Sequence, residues 1–136
     1  MPDSPMVEVM TLCDTVLRDK ISNKWSAIGM VNQIICRGFP ARKEQLGVYV
    51  RLTDVYEDIL LTISLCNPQG LAIIATQQKV RHQPHRRGSE EVGGFLENVV
   101  FHEAGRHLVT IHHGAAQIGE TRLDVFPVPL PERTEG

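Results

Sequence analysis

The stretch Glu103–Val125, "EAGRHLVTIHHGAAQIGETRLDV", carries three of the chain's six histidines, and its reading decides the fold. His107, Val109 and Ile111 alternate with Leu108, Thr110 and His112. Past Gly114, the residues Thr121, Leu123 and Val125 alternate with Arg122 and Asp124. A period of two marks strands with one face buried. The "HHGAAQ" segment around Gly114 has the composition of a turn. The stretch therefore reads as a β-hairpin that bears imidazoles, not as a ligand cluster. His112 and His113 are adjacent, so on a strand they point to opposite faces.

The same alternation recurs upstream. Leu46, Val48, Val50 and Leu52 share one face, and Ile59, Leu61, Ile63 and Leu65 share another. The short polar "DVYED" between them predicts an antiparallel hairpin. Asn67-Pro68-Gln69-Gly70 predicts a type I turn, since proline pre-sets φ at its second position. "LAIIATQ" follows as a third strand of a meander spanning about 46–77. "VEVMTLC" reads as a strand and "DTVLRDKISNK" as a loop or helical turn. Residues 25–36 fit either a strand face or a helix stripe; Gly29 and the Gly38-Phe39-Pro40 stop favour strand, because glycine costs a helix interior about 1 kcal/mol. "KVRHQPHRRGSEEVGG" reads as one long loop, and "FLENVVFHEAG" as a strand ending at Gly105. The expected fold is all-β, an antiparallel β-sandwich of about eight strands in a single domain over 1–136. Its ordered core is expected over about 7–126, with 127–136 an extended tail.

The totals fit one such core. At 136 residues, 42% hydrophobic and 22% charged, the composition is that of a globular domain. The net charge of −2 gives no global attraction to nucleic acid or anionic membrane. Cys13, Cys36 and Cys66 are odd in number and far apart, which speaks against a disulfide framework or a cysteine zinc site. The opening "MPDSPMVEVM" has neither basic nor apolar leader character, and no apolar run nears the ~20 residues of a membrane helix. A cytoplasmic protein without cofactor is the expectation.

Two resemblances carry the reading further. Gly105–Val125, as "G-x-H-x-V-x-I…G…T-x-L-x-V", resembles the terminal hairpin of immunoglobulin-like modules, with His107 in the place of the usual aromatic. The wider chain resembles an uncharacterised family of small bacterial proteins, a domain of unknown function. The likeness lies in "LCD" (Leu12–Asp14), the "WSAIG…FP" block (Trp25–Pro40), "VRL" (Val50–Leu52), "LCNPQG" and the terminal hairpin. It covers most of residues 7–126. It implies the fold and hands over no catalytic residue, substrate or partner.

Function is bounded mainly by what is missing. No Gly-x-Ser-x-Gly elbow or phosphate-binding glycine loop is present; "EVGGF" lacks the lysine and the helix. The cysteines lie in or beside apolar runs, where a thiol is usually inert. Hence no enzyme is expected, and no residue is assigned to catalysis, cofactor or metal. His82 and His85 have a loop spacing that could serve a metal, joined by His102, His107 or His112, but nothing shows convergence. Lys79, Arg81, Arg86 and Arg87 form a basic run that could grip phosphate or an acidic partner. Tyr49, Leu60, Ala72, Ile74 and Leu108 fall on faces opposite the apolar rows, so some strands are apolar on both sides. The expectation is a non-catalytic protein-interaction or assembly module, self-association included. A phosphate- or acidic-ligand module using the 79–87 loop, and a His-ligated metalloprotein, are the competing readings.

Overall fold

The computed structural model describes residues 4–129. Nine strands follow in order: β1 (Met6–Arg18), β2 (Trp25–Met30), β3 (Gln33–Cys36), β4 (Ala41–Thr53), β5 (Ile59–Cys66), β6 (Ala72–Val80), β7 (Glu90–Phe101), β8 (Gly105–His113) and β9 (Ala116–Pro127). They form two sheets, a four-stranded one ordered β2-β1-β4-β7 and a five-stranded one ordered β3-β9-β8-β5-β6. A single 3-10 turn at Pro84–Arg86 is the one helical element among the described residues. The all-β sandwich expected from the alternation is thus the fold. Residues 130–136 of the expected tail lie outside the described residues.

The alternating rows are the core. Leu46, Val48, Val50 and Leu52 of β4 face Leu61, Ile63 and Leu65 of β5, and all are fully buried. Val109, Ile111, Leu123 and Val125 of the β8–β9 hairpin close the layer, equally inaccessible. His107 is buried with them. Its ring meets Phe101 edge-on at 5.2 Å between centroids, and Nδ1 donates to the Gly105 carbonyl at 3.1 Å. The imidazole does an aromatic's packing while its polar edge is satisfied by backbone.

Several local readings are corrected. The runs 46–52 and 59–65 are not a hairpin: β4 pairs β1 and β7, whereas β5 pairs β6 and β8 in the other sheet. The "DVYED" link is a crossing between sheets. Asp54 turns it at φ +60°, and Val55 is driven fully into the core. The meander therefore shrinks to β5–β6, closed by the Asn67–Gly70 turn as expected, with Gly70 N–H donating to the Asn67 carbonyl at 2.9 Å. "DTVLR" is strand, because β1 runs on to Arg18. Residues 25–36 are extended but split into β2 and β3, which belong to different sheets. β3 lies parallel to β9, the one parallel ladder described. The long loop is shorter than expected: Lys79 and Val80 extend β6, and Glu90–Gly94 begin β7. Gly105 starts β8 rather than ending β7.

Candidate functional site

The doubly apolar strands lead to the first site-forming device. β1 pairs β4 only up to Cys13↔Gly47, yet continues against β2 to Arg18↔Trp25. The far half of that hairpin leans over the outer face of the four-stranded sheet. There Trp25 and Val16 settle on Gly93 of β7. A Cβ added at Gly93 would stand 2.5 Å from Trp25 Cζ3 and 2.8 Å from Val16 Cγ2, so only glycine admits this approach. Tyr49 lies beside them, its ring 6.3 Å from that of Trp25. The outward Tyr49 is thus partly covered by the chain's own hairpin. Ile74 instead faces inward and packs against the core, while Leu60 stays exposed.

Arg18 and Trp25 are thereby brought to the segment that carries the basic run. The Arg18 guanidinium sits 6.0 Å from the Trp25 ring centroid, and Nη2 donates to Asn23 Oδ1 at 3.3 Å. Across from it, β6 delivers Lys79 and the following loop delivers Arg81. Together with Gln78, Glu90 and Glu91 these residues line a groove of about 390 Å³ at the sandwich edge. Sequence reading weighed Trp25 for binding but did not join it or Arg18 to the basic run, because both lie more than 50 residues upstream. The Gly93-Gly94 pair, read as part of the loop, lies inside β7, where glycine marks a close approach.

The four cations of the basic run are not equivalent. Arg86 turns inward: Nε donates to the Ser89 carbonyl at 2.9 Å, and Nη2 pairs with Glu91 Oε1 at 3.0 Å. Glu90, 2% exposed, accepts from the Gln83 N–H at 3.0 Å and lies 3.8 Å from Arg86. Tyr49 donates its hydroxyl to Glu91. Burial, and then that bond to the carboxylate, push the Tyr49 phenol up to about 12. Burial alone would raise the Glu91 carboxyl, but the bonds from Tyr49 and Arg86 outweigh it and hold the group below the usual carboxylate range. Both carboxylates in the groove are thus already satisfied. Among the described residues, Lys79, Arg81, Arg87 and Arg18 have no carboxylate within ion-pair distance.

The histidines are dispersed. His82 Nδ1 donates to the Val55 carbonyl at 2.9 Å, and its backbone N–H reaches Asp58 Oδ1 at 2.8 Å, so it pins the sheet-crossing link to the loop. His85 stands exposed on the 3-10 turn. His112 bonds to Thr110, while His113 lines a separate pocket with Asp54 and Tyr56. Among the described residues no three His, Cys, Asp or Glu side chains gather as a metal-binding group. Burial raises the thiols of Cys13 and Cys36, and Asp14 adds to the rise at Cys13.

A different surface lies at the opposite edge of the five-stranded sheet. β3 is its outermost strand, and Trp25–Cys36 contains no charged residue. Ile35 and its register partner Phe126 both point outward, 63% and 44% exposed, with Met30 at 77% upstream.

The chain belongs to DUF6941, a family of unknown function whose model matches residues 8–126. No curated protein matches it. Among solved structures it is similar to an immunoglobulin-like protein from Pseudomonas aeruginosa, at 14% identity and a TM-score of 0.48, over 91% of this chain and 98% of that one. It is also similar to part of the alkylpurine DNA glycosylase AlkC of Pseudomonas fluorescens, bound to DNA containing an abasic site analog. That match has 9% identity and a TM-score of 0.46, over 90% of this chain and 30% of that one. No helix among the described residues is long and apolar enough to cross a membrane.

Proposed function

We propose that the protein is a non-catalytic assembly module that pairs with a second copy of itself through the β3 edge. One observation carries this reading. Sheet edges are normally blunted by shortness, charge, proline or cover; β3 is short, at four residues, but it is uncharged and carries exposed Ile35 beside exposed Phe126 of β9. Two β3 strands meeting across a two-fold axis would join the five-stranded sheets, pair the free edge backbone groups and set the two Ile35 side chains next to each other on one face. The three free cysteines fit a reducing cytoplasm, and the raised thiols of Cys13 and Cys36 fit a non-nucleophilic role.

Sedimentation velocity tests it. Wild type is expected to sediment as a dimer at about 100 μM, where an interface of micromolar strength is filled. Ile35→Lys, which puts a charge on the edge, is expected to restore the 15.2 kDa monomer. A wild type that stays monomeric throughout, or a dimer indifferent to the added lysine, overturns the reading.

A further inference from the structure

We propose that the groove between the β1–β2 hairpin, β6 and the start of β7 binds a small ligand through a phosphate or pyrophosphate group. The inference is independent of the β3 edge. Three cations from separate segments border one concavity: Arg18 at the end of β1, Lys79 on β6 and Arg81 on the loop. None has a carboxylate partner among the described residues. The two carboxylates in the groove share the single charge of Arg86 and accept hydrogen bonds from the Tyr49 hydroxyl and the Gln83 N–H, so with Arg18, Lys79 and Arg81 beside them the cations outnumber the carboxylates. What remains on offer is positive charge.

Arg18 also has partners on its own hairpin. Trp25 and Asn23 each contact its exposed guanidinium, and a planar fork loses less entropy per hydrogen bond on taking an oxyanion. A phosphate presents three acceptor oxygens, enough to engage the fork and two further cations together. At about 390 Å³, the groove has the size of a small-ligand site. Single-stranded nucleic acid fits less well, since it needs free aromatic faces and Trp25 is already engaged by Arg18, Gly93 and Tyr49.

Trp25 is the only tryptophan of the chain, so its emission reports directly on this wall. Full-length protein titrated with pyrophosphate in low salt is expected to show a saturable emission change. Lys79→Gln with Arg81→Gln is expected to weaken binding by at least about tenfold, the loss of two charge-assisted contacts. Both positions are exposed, so the variant keeps its core. Arg18→Gln is expected to weaken binding from the opposite wall, and Arg122→Gln, on the exposed face of β9, to leave it unchanged. The proposal is overturned by no saturable response up to about 10 mM pyrophosphate, beyond which affinity is negligible. It is equally overturned if the double variant binds like wild type, if citrate binds as tightly as pyrophosphate, or if duplex DNA binds where pyrophosphate does not.

Discussion

The phenol of Tyr49 shows how a single residue ties the groove to the stability of the sheet. It sits on the outer face of β4, beneath the covering hairpin, and donates to a carboxylate that Arg86 also holds. An ordinary tyrosine ionises near pH 10; in the fold this one is pushed up to about 12. The sign follows from linkage. The unfolded chain gives up the proton first, so the neutral phenol contributes its full stabilisation below about pH 10 and loses it as pH rises toward about 12. Glu91 works the other way: its lowered value contributes above the ordinary carboxylate range and is lost as pH falls through that value. Urea midpoints measured from about pH 9 to about pH 11.5 should fall more steeply for wild type than for Tyr49→Phe, which has no proton to lose. Parallel curves would show that the phenol is not linked to folding.

At the scale of elements, the sequence was legible wherever side chains alternate against one face. β4, β5, β8 and β9 all carry that pattern, and each lies where its pattern puts it. Pairing was less legible, because period two says which face is buried and not which strand is the neighbour. The link Asp54–Asp58 has a hairpin's length and polarity, yet Val55 within it is fully buried. That lone apolar residue was the only local hint of a crossing between sheets. The groove was half legible: its cations in the 79–87 loop were visible as a run, whereas Arg18 and Trp25 arrive by tertiary folding. His82 shows the difference between composition and placement. Beside His85 it has a ligand's spacing, but its ring is spent on the Val55 carbonyl. His82→Ala strands that carbonyl and is expected to cost about 1–3 kcal/mol. His85→Ala, at an exposed position, should stay within about 0.5 kcal/mol. Chemical denaturation with and without a chelator separates the roles: a ligand pair would show equal losses that chelation abolishes.

For the whole molecule, the two surfaces with unspent potential occupy opposite edges of one sheet. β3 carries the uncharged apolar edge and β6 borders the cationic groove, with β9, β8 and β5 between them. Four strand spacings of about 4.8 Å put roughly 19 Å between the two edges. That exceeds the screening length of about 8 Å at physiological ionic strength, so a charge added at residue 35 is not felt in the groove. Nor does burying β3 against a second copy cover β6. Assembly and anion binding are therefore expected to be uncoupled, since two sites couple only when some element has different arrangements that both can bias. Pyrophosphate affinity of Ile35→Lys should lie within about twofold of wild type, a difference below 0.5 kcal/mol in round figures. Saturating pyrophosphate should leave the sedimentation coefficient unchanged. A ligand that dissociates the assembly would instead place the groove inside the interface, and the cations would then be contacts to the second copy rather than a site open to solvent.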